Sequence, residues 1–243
     1  MKRWLVLGFL MIFGAISNAE GDFPEDEINL DDEVLLVDSV FTPKGYDIND
    51  DIRVFVSGTK PSPCFGTPYG VVERIGNELK ITVRARQKVA KDRLCIAMEV
   101  PYLAGIRIKD IPAANYDLHV NPGTFHAITA KLEISPSATD SIDDFLYPAV
   151  EYITVDPKTR VVKLHGTNPS KCLQLDKIIH TSNGINTYAI MAIMEKRGSV
   201  CEVELDPFVY TYQLPHDLHA DKILVHVRTL DGTWQNKVFS PEN

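Results

Sequence analysis

The sequence predicts an all-β protein made of two tandem antiparallel β-sandwich domains, each closed by its own intradomain disulfide. Three observations carry this expectation. The stretch Arg53-Val-Phe-Val-Ser-Gly-Thr-Lys-Pro-Ser-Pro-Cys64 returns as Arg160-Val-Val-Lys-Leu-His-Gly-Thr-Asn-Pro-Ser-Lys-Cys172. Gly58/Gly166, Thr59/Thr167, Pro61/Pro169, Ser62/Ser170 and Cys64/Cys172 all match at a single offset of about 108 residues, too long for a solenoid or propeller period and the size of one small domain. Short β-branched and apolar runs recur between turn signals, and no stretch after residue 20 gives a convincing long amphipathic helix. Finally, the four cysteines fall as one pair in each copy.

The chain opens with Met1-Lys-Arg, a positive region, followed by almost unbroken apolar sequence from Trp4 to Ala15. Ser17-Asn18-Ala19 then places small residues before Glu20. This is the pattern of a cleaved signal peptide over residues 1–19, with too few apolar residues to span a bilayer. The expected product is exported, to the periplasm or the extracellular space. Residues 20–33 are acidic and read as a solvated, partly disordered leader. Domain 1 is expected over 34–135, a linker over 136–146 and domain 2 over 147–243.

Within domain 1, strands are expected at 34–41, 52–57, 78–86, 94–100, 106–110, 116–120 and 125–134. The segment Glu78–Arg86 alternates most cleanly, with Leu79, Ile81, Val83 and Ala85 on one face. Asn121-Pro-Gly123 turns the last two strands into a hairpin. Ser135-Pro-Ser-Ala-Thr-Asp-Ser141 lacks large apolar residues and reads as the linker. In domain 2, Val150–Val155 answers the opening strand and Val200–Leu205 answers the strand around Cys95. Thr187–Met194 is an apolar strand, with a short helix as the alternative. Residues 222–228 and 233–239 close the copy as a hairpin around Asp231-Gly232.

Net charge is −8 and hydrophobic content 44%, an ordinary globular composition that is acidic overall. That balance argues against a nucleic-acid partner and against adhesion to anionic lipid. No later apolar run is long enough for integral membrane insertion. Four cysteines allow three pairings, and the repeat selects Cys64 with Cys95 and Cys172 with Cys201. Closing loops of this length contributes about 3–4 kcal/mol each in the loop-entropy account. A zinc site would want cysteines two to four residues apart, and export favours disulfides.

The order of features is a cysteine after a Pro-containing turn, an alternating strand, a second cysteine, then Leu/Ile-Pro-x-x-x-Tyr before a closing hairpin. It resembles the small secreted immunoglobulin-like modules of bacterial exported proteins. Ile111-Pro-Ala-Ala-Asn-Tyr116 carries the motif in the first copy without its glycine. Leu214-Pro215 carries it in the second, with an insertion near His216–His219 and no tyrosine at the matching place. The resemblance implies an immunoglobulin-like fold and an exported setting, and transfers no functional residue.

No nucleophile elbow, His-Glu-x-x-His helix, Cys-x-x-Cys redox motif or phosphate-cradling loop occurs, so neither an enzyme nor a cofactor is expected. His216-Asp-Leu-His219 and His226 are the candidate metal ligands, against a plainer reading as turn residues. Asp47-Ile-Asn-Asp-Asp51 resembles half a calcium loop but lacks its glycine and distant glutamate, and reads as an acidic turn. Phe65, Tyr69 and Trp234 are candidate binding anchors that could equally cover the open end of a core. The expected function is a non-catalytic exported binding or structural protein that engages a protein or surface polysaccharide through loops or edge strands. A periplasmic metal-binding protein is the alternative, and a hydrolase the third choice.

Overall fold

A computed structural model describes residues 32–87, 94–198 and 201–242. The signal-peptide reading, and the leader up to residue 31, lie outside the described residues. Among the described residues there is no helix, and the strands form four sheets. The first half contributes β1 (Asp32–Val34), β2 (Leu36–Phe41), β3 (Tyr46–Asp47), β4 (Arg53–Lys60), β5 (Tyr69–Ile75), β6 (Glu78–Arg86), β7 (Val100–Arg107), β8 (Ala114–Val120) and β9 (Ile128–Ser135). The second contributes β10 (Val150–Val155), β11 (Val161–Asn168), β12 (Leu173–Ser182), β13 (Thr187–Lys196), β14 (Asp206–Gln213), β15 (Ile223–Arg228) and β16 (Trp234–Phe239).

The sheet order recurs. A three-stranded sheet β2-β4-β7 is answered by β10-β11-β14, and the run β5-β6-β8-β9 by β12-β13-β15-β16. The sheets are not all antiparallel as expected. β6 pairs parallel with β8, β13 with β15, and the short β3 with β9. The reason is connectivity: after β6 the chain crosses to the other sheet as β7. It returns beside β6 in the same direction, which a hairpin could not do.

Period-two alternation buries one face of each sheet. Leu79, Ile81 and Val83 of β6 and Leu118 of β8 join Val54 and Val56 of β4 and Ile106 of β7 in one core confined to the first half. Tyr188, Ile190 and Val225 join Val162, Leu164 and Phe208 in the core of the second. β15 is buried on both faces: Ile223, Val225 and Val227 enter that core, while Leu224 packs with Phe41 and Phe55 of the first half. The outer faces of β2 and β4 therefore meet the outer faces of β15 and β16.

The repeated motif has a structural reason at each matched position. A Cβ on Gly58 would run into the carbonyl of Leu36, and one on Gly166 into the carbonyl of Ala149. Both glycines sit opposite a register shift in the neighbouring strand, where the backbones approach too closely for a side chain. Next, Pro61 and Pro169 end β4 and β11, because proline cannot donate to the ladder. The hydroxyls of Ser62 and Ser170 then accept from the amides of Cys64 (3.3 Å) and Cys172 (3.2 Å). That turn presents each cysteine to its partner, and the disulfides are Cys64–Cys95 and Cys172–Cys201.

The same turns correct the expected strands at 94–100 and 200–205. The ladder runs only to Lys60↔Val100 in one half and Asn168↔Asp206 in the other. Beyond the prolines the ladder stops, so residues 94–99 and 201–205 lie outside the strands, with the Glu204 amide still donating to the Pro169 carbonyl at 3.2 Å. Conversely, β5 and β12 were not expected; each forms a hairpin with the strand that follows it. The segment Thr187–Lys196 is a strand and not a helix.

Two further devices recur with different residues. Buried Asn121 accepts from the Val83 amide at 2.9 Å and donates to the Leu35 carbonyl at 2.9 Å, tying the β1–β2 crossing to β6. At the matching place the Thr229 hydroxyl accepts from the Val150 amide and donates to the Pro148 carbonyl, both at 2.8 Å. Tyr116 donates to the Pro112 carbonyl at 2.7 Å. In the second half the Pro215 carbonyl receives Tyr188 from β13 at 2.9 Å, which replaces the missing tyrosine.

Gly58→Ala or Gly166→Ala is expected to lower stability by about 2–3 kcal/mol, since a methyl there forces the bulged strand aside. Urea denaturation checks this as a lowered midpoint at unchanged slope; wild-type stability in both variants would refute the close-approach account.

Candidate functional site

The most heavily built polar cluster lies where the halves and the segment between them converge. Arg228, on the outer face of β15, has a side chain only 10% exposed. Its Nη1 meets Asp50 of the first half at 2.6 Å, and its Nη2 meets Asp143 of the connecting segment at 2.8 Å. The same Nη2 donates to the Ile142 carbonyl at 2.7 Å, and the guanidinium lies 5.7 Å from the Tyr147 ring. Asp143 also accepts from the Gly232 amide, and Asp50 from the Asp47 amide. Burial raises the Asp50 carboxyl, while the Asp47 amide and Arg228 pull it down. The Asp47–Asp51 stretch is thus a hydrogen-bonded turn committed to the joint. A cleft of about 80 Å³ opens beside it, lined by Lys44, Asp47, Asp144 and Tyr147 among others.

His226 is 5% exposed beside Arg228. Asn236 Oδ1 lies 2.8 Å from Nδ1 and accepts its proton, which leaves Nε2 to receive the Tyr46 hydroxyl at 3.5 Å. Phe55 and Trp234 pack on the imidazole at 5.5 and 5.8 Å between centroids, and Arg53 stands over the Trp234 ring at 4.8 Å. Burial pushes His226 down to about 4, against the opposing pull of the Asn236 hydrogen bond. Trp234 therefore serves the joint between the halves.

The other sequence candidates scatter. His216 and His219 lie exposed in the insertion after β14, whereas His226 is buried on β15. Among the described residues no three His, Cys, Asp or Glu side chains gather as a metal ion would require. Nor is the insertion a free turn: Leu218 is 1% exposed in the core, and Arg160 donates to the Leu218 carbonyl at 3.0 Å. Phe65 is a core residue, 5% exposed, which is the core-covering role expected beside the anchor reading. Tyr69, half-buried on β5, donates to Asp32 at 2.6 Å.

What the sequence reading missed is surface that ought to be inside. Leu94, Ile96 and Met98 are 98%, 72% and 55% exposed, and Val203 and Leu205 are 92% and 71% exposed. Both segments follow from a half-cystine or surround one, and both lead into β7 and β14, which lie at the edges of their sheets. The alternation that suggested strands was the available signal; its partner strand is what the fold does not supply. No helix among the described residues is long and apolar enough to cross a membrane. No protein family, curated protein or solved structure matches this chain.

Arg228→Met is expected to cost about 3–5 kcal/mol, because it strands two buried carboxylates. Chemical denaturation followed at Trp234 measures this, and a loss under about 1 kcal/mol would show that Asp50 and Asp143 find water instead.

Proposed function

We propose that this protein is a non-catalytic, exported binding or structural protein of two immunoglobulin-like domains, engaging a protein or surface polysaccharide through its strand edges and adjoining loops. The observation that carries the reading is the pair of non-strand segments, 94–99 and 201–205, whose apolar side chains face water where they lead into the edge strands β7 and β14. Such an edge offers unpaired backbone groups for strand addition, with alternate side chains free to fill a partner's pockets. Two intradomain disulfides support an oxidising setting. The tyrosine hydroxyl bonded back to Pro112 resembles the tyrosine corner of immunoglobulin-like sandwiches and supports the reading, while the parallel β6–β8 pair departs from that pattern.

The test is cross-linking capture from the exporting cell with residues 20–243 as bait, run beside Ile96→Lys/Met98→Lys, with a polysaccharide panel in parallel. A partner or glycan held by the wild type is expected to fall at least about tenfold in affinity in the variant, as strand addition requires those apolar contacts. Undiminished binding by the variant, or cross-links that map away from both segments, would overturn the proposal.

A further inference from the structure

We propose that the joint between the halves is an acid-sensitive contact, in which protonation of His226 undocks the β15–β16 face from the β2–β4 face. The geometry that carries this is the setting of the imidazole. It lies on the docking face itself, enclosed by Tyr46 and Phe55 of the first half and by Trp234 and Asn236 of the second. Its hydrogen bonds go to a hydroxyl and an amide, and neither can neutralise an imidazolium. The nearby charges are engaged elsewhere. Asp50 and Asp143 are both bound to Arg228, Asp51 holds Arg53 and Arg107, and Lys44 meets Glu133. Asp47 and Asp144 line the adjoining cleft, and Asp47 is occupied by the Asn49 amide. Arg228 itself, two residues along β15, repels a proton on His226.

The direction follows from linkage. An imidazole freed into water takes its proton near 6.5, while the docked one is held at about 4. The docked state thus binds fewer protons between those values. Its advantage is whole above about pH 6.5 and is lost progressively as pH falls toward 4. Asp50 acts the other way, because burial raises its carboxyl and its protonation favours the docked state at the acid end. The His226 effect is therefore read between about pH 6.5 and 5. Over that interval the docking constant should fall roughly 15-fold, and roughly 30-fold from pH 8 to 5. Undocking would expose Phe41, Phe55 and Leu224, at present 0%, 4% and 0% accessible.

Trp234 is the only tryptophan beyond residue 4, so its emission reports the joint alone in the exported chain 20–243. On lowering the pH from 8 to about 5, the emission is expected to shift red and become open to acrylamide, with unchanged far-ultraviolet dichroism. The radius of gyration from small-angle scattering should rise over the same interval. His226→Gln, which can still donate to Asn236 but cannot titrate, should abolish the step. An identical step in His226→Gln, or wild-type emission and radius constant across the interval, would overturn the proposal. Should His226→Gln fail to fold, proton NMR titration of the wild-type imidazole decides: a value near 4 supports the proposal, and one at or above about 6 refutes it.

Discussion

A guanidinium withdrawn from water must be met by charge and by acceptors, and at Arg228 three separate parts of the chain come together. Asp50 comes from the turn after β3, Asp143 from the connecting segment and the guanidinium from β15. None of these could sit elsewhere without leaving a buried charge unpaired, a cost of several kcal/mol. The apolar contact of Phe41 and Phe55 with Leu224 supplies attraction without direction. The ion cluster adds direction, because its hydrogen bonds are satisfied in only one orientation of the halves. Domains joined by a short linker usually move against each other unless their interface is large or specific. Here the connecting segment is itself part of the contact: Asn49 donates to Ser137 and to the carbonyl of Thr139, and the Met194 amide to the carbonyl of Leu146.

The halves repeat the same structural problems and solve several of them with different chemistry. An amide at 121 and a hydroxyl at 229 both bridge the backbone where the first strand crosses between sheets. A tyrosine meets the proline carbonyl from the next strand in one half and from β13 in the other. What persists unchanged are the positions where backbone geometry leaves no choice, Gly58 and Gly166 against a neighbouring carbonyl and the prolines that end β4 and β11. Backbone constraints therefore held the repeat visible while side-chain solutions diverged.

That division also explains what could be read from the sequence. The cysteine pairing followed from the repeat, and Glu78–Arg86 followed from its alternation, because both signals are local. The Gly76-Asn77 turn between β5 and β6 was a usable hairpin signal that went unread, with Gly76 at a φ of 62°. The alternation at Leu94–Met98 misled, since a pattern records which faces are apolar and not whether a neighbouring strand exists. His226 looked like a ligand beside His216 and His219 because sequence distance hides the fold: its partners are Tyr46, 180 positions away, and Asn236. The Arg228 cluster spans the same distances and left no local trace at all.

One consequence of the doubly buried β15 concerns the order of assembly. Residues 32–135 can complete their own core as soon as β9 pairs with β8, but the outer face bearing Phe41 and Phe55 then waits for strands nearly a hundred residues further along. A chain emerging from its N-terminus passes through an interval in which one half is folded and carries a bare aromatic face with the unpaired carboxylate of Asp50 beside it. That carboxylate keeps a charged, hydrated group beside the bare face, so the residue that orients the finished joint also interrupts the apolar surface of the unfinished one.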